Sequence, residues 1–168
     1  MPRASRRRAE SRMHTILYLG STTDLHYERE LLAEWGKRSV QLAACATLPQ
    51  RDELAATGTD GAVATAPAAD PLAGADAVVV ERGRVTAADL AAHPSLTAVV
   101  ILDERTATVD VAAATAHEVW VTRARSHRAF SRLPFVSSAP SAAARRHALQ
   151  DALAAVSGER PSGRVNEL

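Results

Sequence analysis

The chain has 168 residues with 20 basic and 19 acidic side chains, a formal net charge of +1. That length suits one domain with a sizeable core, and the charge balance excludes the strong global field of a nucleic-acid or acidic-membrane binder. Hydrophobic residues make up 46% but aromatics only 4%, so the interior must be built from Ala, Val and Leu, which suits helices closely packed on a sheet.

Taken in order, residues 1–12 hold Arg3, Arg6, Arg7, Arg8 and Arg12 among Ala and Ser, without apolar periodicity. They read as a disordered basic tail, and Met13 offers an alternative translation start at the first strand. Residues 14–19, HTILYL, form that strand and are too short for the core of a signal peptide. The turn Gly20-Ser21-Thr22-Thr23-Asp24 leads into a helix over 27–35 that Gly36 ends. Its polar residues fit capping by Thr23 or Asp24; a phosphate cradle is the other reading, but one glycine is not G-x-G-x-x-G.

Residues 39–46 read as a second strand. It contains Cys45, the lone cysteine, a small buried hydrophobe that gives no disulfide framework and fits a reducing cytoplasm. A short helix over 49–56 and an edge strand or extended connection around Val63 follow. Residues 76–80 resume the sheet. Thr86-Ala87-Ala88-Asp89 has capping-box spacing, and His93-Pro94 ends that helix.

The most informative stretch is Thr97 to Thr122, TAVVILDERTATVDVAAATAHEVWVT. It reads as a buried strand over 96–102, a turn, a short Ala-rich helix and a strand over 119–121. Ser126 to Arg132 is a basic loop around His127, without the interleaved aromatics that make a stacking platform, so nucleic acid is not an expected partner. Pro140 opens a long helix in which Leu149, Leu153 and Val156 recur at helical spacing, stopped by Gly158; 159–168 is a polar tail. The expected fold is therefore α/β: a flavodoxin-like open parallel sheet of about five strands, with helices on both faces, in one domain over 13–158. No apolar run approaches the ~18 residues of a membrane span.

VDVAAATA before an apolar strand resembles the VDLAAAT signature in the substrate-binding half of D-isomer-specific 2-hydroxyacid dehydrogenases. Upstream, ADAVVVERGRVTAADLAAHPSL is similar to that family's strand, substrate loop, helix and A-P-x-L, with His93, Pro94 and Leu96 in the last. Downstream, LPFVSSAPSAAARR and ALAAVSGERPSGRVNEL resemble its closing T-P-H, long helix, G-x-P and V-N-P. The likeness spans most of 14–168, with 13–125 and 133–158 as the two pieces of the substrate domain, rejoined across 126–132.

The resemblance also implies losses. The family's dinucleotide domain, with G-x-G-x-x-G and the catalytic Arg and Glu, has no counterpart in this sequence, and the catalytic His of T-P-H falls at Phe135, which cannot transfer a proton. A helix-ending glycine expected near Glu118 is absent. The substrate loops correspond to Arg82-Gly83 and to Asp103-Glu104-Arg105-Thr106, which would sit at strand carboxyl ends, where open α/β sheets bind ligands. Arg82, Gly83, Arg105 and Thr106 are thus the ligand-binding candidates, with Asp103 and Glu104 opposing an anionic ligand. The six histidines show no metal spacing, and no nucleophile elbow, Walker loop or H-E-x-x-H is present.

The expected function is a noncatalytic domain that binds a small 2-oxo or 2-hydroxy acid, or a protein partner, without cofactor or metal. A homodimer through the opened strand-end face is the expected assembly. The alternatives are an oxidoreductase subunit for 2-hydroxy acids that needs a separate NAD-binding chain, and a cofactor-free isomerase or lyase of 2-oxo acids.

Overall fold

The computed structural model describes residues 12–21, 24–46, 70–124 and 140–168. Residues 1–11 of the basic tail expected over 1–12, the helix expected over 49–56, the strand around Val63, the 126–132 junction and Phe135 lie outside the described residues, whereas Arg12 is ordered against Asp76 in a 2.9 Å ion pair.

Five parallel strands form the main sheet, β1 (His14–Leu19), β2 (Val40–Cys45), β3 (Ala77–Val80), β5 (Ala98–Ile101) and β7 (Trp120–Arg123), in the order β2-β1-β3-β5-β7. Between β3 and β5 comes β4 (Gly83–Val85), and between β5 and β7 comes β6 (Ala107–Val109). This is the flavodoxin-like order, and it places the topological switch point between β1 and β3, where the chain turns from building one side of the sheet to building the other. The runs Ala77–Val80 and Ala98–Ile101 are buried at every position. That is the pattern of strands covered on both faces, and the β-branched side chains suit it.

Alternation along the strands sorts the core into two layers. Ile16, Tyr18, Ala77, Val79, Ala98 and Val100 face the helices α1 (His26–Glu34) and α4 (Ala142–Val156). Leu17, Leu19, Val78, Val80, Val99 and Val121 face α2 (Ala87–Ala92) and α3 (Val111–Ala116) through Leu90 and Ala114. Helices therefore cover both faces, as the residue pattern predicts.

Local chemistry sets most helix ends. Thr86 and Asp89 close the expected capping box on α2, Asp110 caps α3 and Ser141 caps α4. The expected cap on α1 does not form: Leu25 holds the N-cap position without a side-chain bond, and the Asp24 carboxylate instead takes Arg29 at 3.0 Å. Cys45 is half-buried rather than buried, because β2 is the outermost strand of the sheet among the described residues.

Two features go beyond the sequence reading. The loops after β3 and β5 continue as β4 and β6, which pair in parallel as a separate two-stranded sheet with Gly83 opposite Ala107 and Val85 opposite Val109. The polar tail 159–168 packs along β7. Val165 N–H donates to the Val121 carbonyl at 2.7 Å, Arg123 N–H to the Gly163 carbonyl at 2.8 Å and Val121 N–H to Asn166 Oδ1 at 2.8 Å. Asn166 Nδ2 in turn donates to the Val119 carbonyl, and Asp151 on α4 accepts from Ser162 and Gly163.

Candidate functional site

The carboxyl ends of β1, β3, β5 and β7 bring Gly20, Glu81, Leu102 and Ala124 to one rim of the sheet, as the registers require. Hydrogen bonds then lock the loops that leave it. Glu81 and Arg82 N–H both donate to the Leu19 carbonyl, at 2.9 and 3.3 Å. Gly83, at φ +120°, turns the chain where a side chain would be strained, and its N–H donates to the Thr106 carbonyl at 2.8 Å. The Thr106 hydroxyl donates to the Glu81 carbonyl at 2.7 Å. The structure therefore brings Arg82, Gly83, Arg105 and Thr106 together, with Gly83 and Thr106 spent on holding the two loops and the side chains of Arg82 and Arg105 left exposed.

Electrostatics at this rim depend on what each charge is already doing. Glu104 pairs with Arg123 at 2.7 Å. Asp103 Oδ1 accepts the Arg105 N–H at 3.1 Å, and the Asp103 carbonyl accepts from Thr106 and Ala107, so this residue shapes the turn. Arg82 and Arg105 have no ion pair among the described residues. The two carboxylates that oppose an anion on the sequence level are thus engaged, while two guanidinium groups remain unpaired.

Behind the rim, on the α1/α4 face, lies a second cluster that the sequence reading missed. Glu28 of α1 and Arg145 of α4 form a buried two-pronged ion pair, Nε to Oε1 at 2.5 Å and Nη2 to Oε2 at 2.8 Å. Its hydrogen bonds to Glu28 hold the Arg145 pKa above the ordinary value against the opposing effect of burial. Burial first, and the Glu28 charge second, push the Tyr18 phenol well above its ordinary range. The buried Glu81 lies near enough for its charge to act on Arg145 as well.

At the turn after β1 a Cβ on Gly20 would overlap the Arg82 carbonyl, so the loop after β3 packs directly against this glycine. Among the described residues no group of three His, Cys, Asp or Glu side chains is placed to hold a metal ion, and no helix is long and apolar enough to cross a membrane.

No protein-family model matches the chain, and no curated protein matches it. Among solved structures it is similar to 3-phosphoglycerate dehydrogenase of Entamoeba histolytica, at 10% identity and a TM-score of 0.46 over 68% of this chain and 33% of that one. It is similar to D-lactate dehydrogenase of Escherichia coli at 16% identity and 0.43, over 65% and 30%. The D-isomer specific 2-hydroxyacid dehydrogenase of Lactobacillus delbrueckii ssp. bulgaricus gives 12% and 0.41, over 67% and 30%. The α/β fold stands on strand order and register, and the chain spans about a third of the length of these three dehydrogenases.

Proposed function

We propose that this chain is a noncatalytic domain of the 2-hydroxyacid-dehydrogenase type that binds a small 2-oxo or 2-hydroxy acid at the carboxyl ends of β3 and β5. One observation carries the reading: Arg82 and Arg105 are unpaired on two loops fastened to each other, while Glu104 and Asp103 are engaged elsewhere. Paired guanidinium groups recognise a carboxylate with charge and geometry together. The residue at the place of the family's catalytic His, Phe135, supports the noncatalytic part. A homodimer finds less support, because the large apolar side chains left exposed among the described residues, Met13, Val165 and Leu168, belong to none of the strand-end loops.

Thermal unfolding of the purified chain against 2-oxo acids, 2-hydroxy acids, their phosphorylated forms and NADH tests this. A ligand of the native state raises the midpoint by mass action. The acids are expected to raise it and NADH to leave it unchanged, and Arg82→Ala with Arg105→Ala should remove the response at an unaltered ligand-free midpoint. Stabilisation by NADH would overturn the reading.

A further inference from the structure

The outer edge of β2 carries backbone groups that no described strand takes up, and the ladder to β1 fixes which they are. His14 N–H donates to the Ser39 carbonyl and Gly20 N–H to the Cys45 carbonyl, so the odd-numbered positions turn inward. With a period of two, Val40, Leu42 and Ala44 turn their N–H and C=O outward, where β2 has no neighbour among the described residues. The strand, VQLAAC, holds neither a charge nor a proline, the residues that ordinarily blunt an edge. The opposite edge, at β7, is covered by the tail.

Beside the open edge runs a cleft of about 400 Å³ between β2 and α1. Its apolar lining is Leu32, buried on α1, with Val40 and Leu42 half-buried against the α1/α4 layer of the core. Its charged lining is of one sign: Arg29, Lys37 and Arg38, and no carboxylate. Arg29 is paired with Asp24, whereas Lys37 and Arg38 are exposed and have no ion pair among the described residues. A free strand edge beside an apolar cleft suits an extended peptide, whose main chain pairs with the edge while alternate side chains enter the cleft. The unpaired cations select its charge. We propose that this groove binds an extended segment of an acidic partner protein, paired with β2, its apolar side chains in the cleft and its carboxylates at Lys37 and Arg38. A second copy of this chain would bring the same cations to the groove, and a small amphipathic anion would leave the outward N–H and C=O groups unused. The site is separate from the rim of Arg82 and Arg105, since Lys37 and Arg38 precede β2 and the rim loops follow their strands.

Fluorescence polarisation of the full chain with labelled seven-residue peptides tests it. The probe alternates Glu with Val and Leu, a second peptide has Lys for Glu, and two more are the acidic sequence N-methylated at complementary sets of alternate amides. The acidic peptide should bind at least tenfold more tightly than the lysine version. One methylation pattern should cost at least tenfold and the other little, because only alternate amides of an added strand face β2. Lys37→Glu with Arg38→Glu should invert the charge preference, and Arg82→Ala with Arg105→Ala should leave it unchanged. Both methylated peptides binding like the parent, with octanoate displacing it, would make the groove a small-anion site and overturn the proposal. A dimer in sedimentation that the charge reversal dissolves would give the groove to a second copy and also overturn it, as would absence of binding by every peptide. The peptide comparisons use the unaltered chain, so the outcome does not depend on a variant folding.

Discussion

Glu28 and Arg145 meet inside the fold although 117 positions separate them. Either one alone, left buried without its partner, is strongly destabilising. Glu28→Gln is expected to cost about 3 kcal/mol in urea unfolding, whereas replacing both with Met should recover most of that loss. Tyr18 shows the opposite case. Its hydroxyl is buried without a partner, so Tyr18→Phe should stabilise the fold by about 1 kcal/mol, the desolvation penalty of an unmade bond. The phenol also links stability to pH. Its pKa in the fold is raised above the ordinary 10.0, so its contribution is complete below about pH 10 and is lost as the unfolded phenol ionises above that. The wild-type melting midpoint should fall as pH rises beyond 10, and Tyr18→Phe should flatten that limb. None of this could be read from Y-E-R-E-L-L, where Glu28 looks like any helix-surface carboxylate; burial is conferred by α4, far along the chain.

Helices and tail carry predictions of their own. After α3 the chain turns at Glu118 with φ +56°, the left-handed conformation that favours glycine. The resemblance marks a glycine as missing there, and the fold accepts the strain. Glu118→Gly is therefore expected to stabilise by roughly 1 kcal/mol, read as a rise in melting midpoint. Asn166 joins Val119, Val121 and Thr115 through one side chain. Truncating it to Ala leaves buried backbone groups unsatisfied and should cost about 2 kcal/mol. The capping box at Thr86 and Asp89 was legible because its partners are three residues apart. The packing of 159–168 was not, because its polar residues look like a solvated end until β7 supplies the matching groups.

Across the whole molecule the two sides of the main sheet are treated differently. On the β7 side the tail pairs with the outer strand, including an antiparallel bridge between Thr122 and Arg164. Exposed strand edges template association with other chains. Removing residues 161–168 is accordingly expected to produce concentration-dependent association, measured by light scattering, in addition to lower stability. At the rim the same global arrangement decides the net field. Strand order sets the loops of β3 and β5 side by side, the β4 and β6 pairing fastens them, and the Arg123 that ends β7 neutralises Glu104.

Sequence alone determined the fold class, since runs of β-branched residues alternating with Ala-rich helical segments admit few arrangements other than a covered parallel sheet, and strand ends are then where loops must converge. It also located Arg82, Gly83, Arg105 and Thr106 on the two loops that meet. What only the tertiary structure decided is which charges remain free. Asp103 and Glu104 look repulsive in the sequence yet are engaged by Arg105 N–H and Arg123, while Glu81, unremarked in the chain, is buried within reach of the Arg145 charge with its Oε2 lacking a hydrogen-bond partner. Charge at a site is a sum over neighbours brought from distant segments, and the linear order of residues does not contain that sum.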